Sequence, residues 1–376
     1  MRLEATELTD DERALQQEVR SWLRKRLPVG SYPLGLGMSG EIDPEFSRDL
    51  GAQGWLGMAL PTEYGGHGRT AVERLIVVEE LLAVGAPVGF HWVGDRQSGP
   101  SIAKHGTEEQ KRDLLPRIAR GEVSFAIGMS EPDSGSDLAS LRTRAVREGD
   151  GWRVNGTKIW TSGAYESTHI LALFRTSEDK HTGLTQFIVP RETEGMSINK
   201  IPFIDGTRHF CEISFEDMYL PDSLRMGEVG GGWGQNTAEL VLERGGVDRW
   251  MSVMPILENW ATSRSVEGDA AAAADLGAIA ARSWAFRGMS LSVARMVDEG
   301  KSPVTEAALI KEMATRFEQE CTDIVARHYG RTPDLHSDDP HESLLARAIL
   351  VSPSWSIRGG TNEILRTVIS KGLNKR

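Results

Sequence analysis

Three short stretches of the chain carry residue types that can bind and react. The first is Phe125-Ala-Ile-Gly-Met-Ser-Glu-Pro-Asp-Ser-Gly-Ser-Asp137. It gathers backbone donors, small hydroxyls and, at Gly135, a place where the chain can pass close to something else. Such a segment suits a phosphate or a flat heterocycle, whose oxygens accept from N–H and O–H groups. A solvent-facing turn rich in Ser, Gly and Asp has the same composition. The spacing is not that of a Walker loop or of GxGxxG. The second stretch is Lys158-Ile-Trp-Thr-Ser-Gly-Ala164. A tryptophan beside two hydroxyls at a strand end can cover an aromatic ring and bond its heteroatoms, or it can fill a core. The third is Trp355-Ser-Ile-Arg-Gly-Gly-Thr-Asn-Glu-Ile-Leu-Arg366. Positions 359–360 offer only backbone, so this loop either closes on itself or makes room for something flat and negatively charged.

A lone carboxylate adds a fourth feature. Leu240, Glu243, Val247, Trp250, Met254 and Leu257 fall at spacings that share one helical face, and Glu243 is the only charge on that stripe. A carboxylate there is costly unless it is held in a buried ion pair or used in catalysis. Gly245 and Gly246, inside the predicted helix, fit close approach to a partner or ligand better than helix stability.

The elements that must position these groups fall into three regions. Residues 1–122 read as helical. Thr9-Asp-Asp-Glu12 and Thr107-Glu-Glu-Gln110 are capping boxes, in which each side chain covers the other residue's backbone donor. Leu15, Val19 and Leu23 follow the first box at helical spacing, and Pro28 ends the run. Val72 to Val84 is a further helix, and Gly121 is a stop. Residues 123–230 change to strand signals. Trp152-Arg-Val-Asn-Gly-Thr-Lys-Ile-Trp160 reads as strand, Asn-Gly turn, strand. His169–Phe174, Leu184–Pro190 and Cys211–Phe215 are further strands of an antiparallel β domain. Residues 231–376 return to helix: a long segment after Gly230-Gly-Gly-Trp-Gly234, one from Ala270 to near Gly300, one over roughly 304–330, and one after the third motif. The fold class is therefore α+β, with an N-terminal helical domain, a middle antiparallel β domain and a C-terminal helical bundle.

Composition excludes several functions. The formal charge of the 376 residues is −11 and there is no long basic run, so a nucleic-acid partner lacks the positive field it needs. An anionic membrane surface is disfavoured for the same reason. No apolar run approaches the roughly 20 residues of a spanning helix. The two cysteines, Cys211 and Cys321, lack metal spacing and cannot form a disulfide framework. They read as free thiols of a reducing, cytoplasmic compartment, and the polar, acidic N-terminus is not a signal peptide.

Taken together, MSEPDSGSD, KIWTSGA and RGGTNEILR resemble the acyl-CoA dehydrogenase family. GWLGMALPTEYGGHG with VVEEL, KHGTEEQKRDLLPRIARGE and GGGWGQNTAELVLERG match further family segments in order, so the resemblance covers nearly the whole chain. It implies FAD lying between the β domain and the C-terminal bundle. Met129 and Ser130 would face the flavin ring, and Ser136, after Gly135, would reach cofactor phosphates or the substrate pantetheine. Trp160 would cover the ring, with Thr161 and Ser162 at its polar edge. Thr361 and Glu363 would contact the cofactor from the last helix. The implied reaction is α,β-dehydrogenation of an acyl-CoA to the 2-enoyl-CoA, with the backbone N–H of Gly359 donating to the thioester oxygen.

The sequence departs from one family pattern and matches another. Where many members place the catalytic glutamate it has Gly359, whereas Glu243-Arg244 matches the pattern with the base on the long helix after the middle domain. Glu243 is thus the expected base, and Arg244 matches an arginine near the substrate. The segments that would serve a neighbouring subunit's FAD are degenerate here, at Thr262–Asp269 and at Arg327-His-Tyr-Gly-Arg331. The resemblance implies a homo- or heterotetramer, with a second dehydrogenase-like subunit as the partner in the heteromeric case, and an electron-transferring flavoprotein as the expected acceptor. No metal is expected. A flavin monooxygenase or oxidase of the same fold, or a structural subunit, is the alternative; the stripe carboxylate argues against the first, and the intact first motif together with that carboxylate argues against the second.

Overall fold

Local signals build the helices of the first region. The structure is a computed structural model that describes residues 2–263, 266 and 268–374, without the side chains of 39 and 238–243. Helix α1, Asp10–Arg26, starts at the reciprocal Thr9/Glu12 box and buries Leu15, Val19 and Leu23. Helix α2, Pro44–Ala52, is capped by Asp43 and begins with proline, a signal not read from the sequence. Helix α3, Ala71–Ala83, opens on a Thr70/Glu73 box. A π-helical turn, Gly94–Ser98, leads into α4, Gly99–His105. Helix α5, Glu108–Ala119, has the expected Thr107/Gln110 box, and Gly121 follows it with φ 67°.

Eight strands come next: β1 Phe125–Gly128, β2 Arg144–Glu148, β3 Gly151–Ser162, β4 His169–Arg175, β5 Leu184–Pro190, β6 Met196–Ile201, β7 Phe210–Pro221 and β8 Arg225–Met226. They form one sheet in the order β6-β7-β3-β2-β4-β5-β8, with β1 beside β4. The sheet is mixed: β1 and β2 run parallel to β4, and the other pairings are antiparallel. Val154, Ile170, Phe174, Phe187, Ile213 and Phe215 pack its core.

The expected hairpin at Asn155-Gly156 is absent, and β3 runs straight through it. A bulge on β7 explains this. Asn155 exchanges hydrogen bonds with Asp217, which sits at φ 48°, and the register shifts there. Gly156 is required for another reason: a Cβ on it would lie 2.6–2.8 Å from Thr143. The hairpin turn lies earlier, between β2 and β3, at Gly149 with φ 58°.

The remaining helices are α6 Gly232–Arg244, α7 Met254–Thr262, α8 Ala270–Asp298, α9 Val304–Tyr329, α10 Pro340–Val351 and α11 Asn362–Leu373. One long helix through Leu257 was expected, but α6 stops at Arg244. Two adjacent glycines each cost about 1 kcal/mol relative to alanine in a helix. Gly246 is extended (φ −78°, ψ 163°), and a 3-10 turn, Val247–Arg249, follows. Val247, Trp250 and Leu257 are buried, but Val247 from the 3-10 turn, Trp250 from the segment after it and Leu257 from α7. Gly245 serves packing: a Cβ there would lie 2.7 Å from Val293 on α8 and 3.3 Å from Ala307 on α9.

The chain gathers into two compact units. One comprises Met1–Glu41, Arg69–Val88 and Val241–Arg376; the other comprises Ile42–Gly68 and Gly89–Leu240. Among the described residues no helix is long and apolar enough to cross a membrane.

Candidate active site

In the sheet unit, β1 ends at Gly128 and delivers Met129 and Ser130 to the edge of β3. The Ser130 carbonyl accepts from the Ile159 N–H at 2.9 Å, which ties the loop to the strand. Glu131 is the loop's organiser. Its carboxylate accepts from the N–H groups of Arg142 (2.5 Å) and Thr143 (2.9 Å) and from the ammonium of Lys158 (2.8 Å). Lys158 is fully buried and also donates to the Met129 carbonyl at 3.1 Å. Burial pulls its pKa down to about 8, opposed by Glu131. Although burial opposes ionisation of Glu131, Lys158 and the N–H donors hold its carboxyl below the usual range.

Further along β3 the backbone is strained. Lys158 pairs with Ile213 and Thr161 with Cys211, so Ile159 and Trp160 together oppose one residue of β7. This bulge turns Trp160 outward at φ 61°, an uncommon conformation for a bulky side chain, and leaves it 54% exposed against the edge of Phe210. Thr161 is buried, and its Oγ1 has no hydrogen-bond partner among the described residues. Ser162, Gly135 and Ser136 are exposed. A Cβ on Gly135 would meet nothing within 4 Å, so the chain's own packing does not demand glycine there.

In the other unit, a 3-10 turn, Ser352–Ser356, leads into Gly359 and Gly360, at φ 67° and 97°. Both lie where glycine is favoured. Side chains from three elements grip this loop. Arg244 Nε donates to the Gly359 carbonyl at 3.0 Å. Lys311, fully buried on α9, donates to the carbonyls of Ser356 (2.9 Å) and Gly360 (2.7 Å) and to Asn362 Oδ1 (3.0 Å). Arg358 donates to Ser252 Oγ at 3.0 Å and pairs with Glu318, which accepts from the Ser252 N–H at 2.7 Å. Burial raises the Glu318 carboxyl and lowers Arg358, and each charge opposes the other's shift. Thr361 caps α11, its hydroxyl accepting from Ile364 N–H, and Glu363 is exposed on the first turn.

The structure therefore brings together Met129, Ser130, Trp160 and Thr161 in one unit and Arg244, Gly359, Gly360 and Thr361 in the other. The side chain of Glu243 lies outside the described residues, as does Arg264 of the 262–269 stretch. Arg327-His-Tyr-Gly-Arg331 closes α9, with His328 on Asp275 (2.9 Å) and Gly330 at φ 78°. Sequence reading missed Lys158, Lys311, Glu318 and Arg358. A signal existed for two of them. Ala307, Lys311, Ala314 and Glu318 share one face of α9 at the spacings that drew attention to Glu243.

In the sheet unit, a strained, outward-facing tryptophan with an unsatisfied buried hydroxyl beside it fits a flat, polar-edged cofactor. Comparison with known proteins gives its class. The profile of the acyl-CoA dehydrogenase N-terminal domain matches residues 9–122, that of the middle domain 126–218 and that of the C-terminal domain 230–374. Acyl-CoA dehydrogenase FadE26 of Mycobacterium tuberculosis is 31% identical, over 96% of both chains. IpdE1 of the same organism is 31% identical, over 96% of this chain and 97% of its own. The Tcur3481-Tcur3483 steroid ACAD superposes with TM-score 0.89 at 30% identity, over 100% of both chains. The ChsE4-ChsE5 complex of M. tuberculosis gives 0.82 at 29%, also over 100% of both. These features define an FAD-dependent oxidoreductase that acts on the CH–CH bond of an acyl-CoA. The chain belongs to the acyl-CoA dehydrogenase family.

Proposed function

We propose that this protein dehydrogenates the Cα–Cβ bond of a bulky, steroid-type acyl-CoA, with Glu243 as base. The observation that carries the reading of the site is the braced Arg358-Gly359-Gly360 loop, which offers backbone where many relatives carry the glutamate. The steroid ACAD that superposes over the whole chain supports the substrate class. The Glu243 carboxylate takes the α-proton. As that proton leaves, the thioester oxygen gains charge, and the Gly359 N–H, fixed beforehand, donates to it. Arg244 and Lys311 hold the neighbouring carbonyls, so the donor needs no reorientation during the reaction. When bound, FAD supplies the acceptor for the β-hydride. Met129, Ser130, Gly135, Ser136, Trp160, Thr161, Ser162, Thr361 and Glu363 hold it, and Ser136 also meets the substrate. The unsatisfied Thr161 hydroxyl is the strongest local support for that assignment.

The proposal assigns 1–122 to an N-terminal helical domain, 123–230 to a middle β domain and 231–376 to the helical bundle, working in the cytoplasm. It takes an electron-transferring flavoprotein as acceptor and a tetramer as the assembly, with a second dehydrogenase-like subunit as the partner. The ChsE4-ChsE5 complex supports the heteromeric form. Anaerobic addition of short, long, branched and steroid acyl-CoAs to the yellow protein tests the substrate class. Bleaching by the steroid thioester well ahead of the others is expected; preferential bleaching by a straight-chain thioester removes the steroid assignment. Poor FAD occupancy when the chain is expressed alone, restored by a co-expressed partner subunit, is the expected sign of a heteromer, and a fully loaded homotetramer excludes it.

A further inference from the structure

Lys158 takes no part in the reaction as written, yet it is wholly buried in the sheet unit. Its ammonium lies 5.8 Å from the Phe174 ring, with Glu131 on one side and the Met129 carbonyl on the other. A simple staple for the loop does not account for it. The Ile159 N–H already binds the Ser130 carbonyl, and Glu131 is already tied to Arg142 and Thr143. Buried ion pairs are in general replaceable by apolar side chains with little loss of stability.

The bond to the Met129 oxygen has a direction. A peptide unit is planar and trans, so the Met129 carbonyl and the Ser130 N–H belong to one unit and point opposite ways. An ammonium on the oxygen polarises that unit and makes the Ser130 N–H a stronger donor, aimed away from Lys158. We infer that Lys158 is a positioning residue that raises the reduction potential of the bound flavin, acting through the Met129–Ser130 peptide. The inference rests on the proposed contact of Ser130 with the flavin ring. The reduced ring carries more negative charge than the oxidised ring. A strengthened N–H, with a buried cation one peptide behind it, therefore favours reduced flavin. Glu131 offsets this only in part, because two backbone N–H groups share its charge.

The test is a dye-coupled spectroelectrochemical titration of the holoenzyme. Lys158→Met combined with Glu131→Gln removes both charges and leaves none unpaired. At a fixed potential the ratio of reduced to oxidised flavin should fall about tenfold, equal to about 30 mV for a two-electron couple. Lys158→Arg should recover most of it. Glu131 and Arg175 are the charged groups that act on Lys158, and its own titration should put a break near pH 8 in the wild-type plot of potential against pH. An unmoved potential in the folded, FAD-loaded double variant overturns the inference. If that variant does not fold, an unmoved potential in folded, FAD-loaded Lys158→Gln overturns it equally. Visible spectra of Ser130→Ala and Trp160→Phe are recorded alongside. Shifted flavin bands with an unmoved potential defeat the role of Lys158 alone; unshifted bands in both variants defeat the cofactor site and this inference together.

Discussion

The loop after β1 and the loop before α11 are both held by a buried lysine, and the two holds differ. Lys158 shares its charge between a carbonyl and a carboxylate, and that carboxylate also fixes two backbone donors. The segment it holds continues straight from β1 and is tied to β3 by the Ile159 N–H, so the sheet anchors it. Strain there falls on Trp160, within the strand. Lys311 donates to two carbonyls and an amide oxygen, one of the carbonyls at the C-terminal end of a 3-10 turn, where a cation is favoured. No ladder supports that segment, and its path depends on Gly359 and Gly360 in the left-handed region and on side chains that grip their oxygens. The difference teaches how each half is suited to its task. Under the proposed function, the segment on the strand would present a fixed platform to a flat cofactor, and the gripped glycine loop would present backbone to a reacting thioester.

If the chemistry divides this way, the proton belongs to the bundle side. Glu243→Gln should slow flavin reduction by on the order of 10²–10⁴, the typical loss for a positioned base, while FAD and acyl-CoA still bind. Glutamine is nearly isosteric, so the melting temperature should hold. Rapid-mixing reduction beside a thermal melt checks both. Reduction within a few-fold of wild type, with a much lower melt, would return Glu243 to the role of a buried ion-pair partner.

The two lysines should differ in what their loss costs. Lys311→Met strands the carbonyls of Ser356 and Gly360 and leaves the Asn362 oxygen only the Thr315 hydroxyl, and unsatisfied buried groups cost about 1–3 kcal/mol each. A loss of roughly 3 kcal/mol is expected. Removing Lys158 and Glu131 as a pair strands the Met129 carbonyl but leaves no unpaired charge, and should cost less. Equal losses in denaturant titrations would erase the distinction between the two holds.

What sequence could and could not reveal follows the same division. The boxes at Thr9/Glu12 and Thr107/Gln110 were legible because each is complete within four residues. Asn155-Gly156 was misread because a turn and a bulge share that dipeptide, and Asp217 on a distant strand decides between them. The helix expected through Gly245 failed because two adjacent glycines end it, and the need for glycine at 245 comes from packing on Val293 and Ala307. The family was legible through its three motifs. The lysines were harder to read, because each also holds backbone oxygens, of Met129 and of Ser356 and Gly360, that no side-chain pattern announces.

The sheet unit should also be the acid-sensitive one. His91, buried and bonded to Ser47 at 2.9 Å, and His169 are each pulled down to about 4 by burial. Between about pH 6.5 and 4 the unfolded chain binds protons that the folded chain refuses, so stability falls as pH falls through that window. Each histidine accounts for about 3 kcal/mol by pH 4. Melts from pH 7 to 4.5 should show a steep decline that His91→Gln makes shallower. An unchanged slope in that variant would free His91 from the acid response.

The smallest expected effect compares one glycine from each loop. Gly360 sits at φ 97°, where an L-residue is strained by about 1–2 kcal/mol. A Cβ there would also lie 3.2 Å from Arg244 Nη2. That is the far end of a flexible side chain, so Arg244 should yield by a few tenths of an ångström rather than block the change. Gly360→Ala should therefore lose about 1–2 kcal/mol of stability and slow flavin reduction a few-fold, because the arginine that shifts is the one holding the Gly359 carbonyl. Gly135→Ala is the counterpart. Its φ is outside the left-handed region and nothing lies within 4 Å, so stability should stay within about 0.5 kcal/mol. Any effect there should appear only in FAD or acyl-CoA affinity. Denaturant titration and flavin-release measurements on both variants decide the matter. A Gly360→Ala variant as stable and as fast as wild type would mean that the loop's path does not depend on its glycines, and the contrast between a ladder-held and a side-chain-held segment would fall.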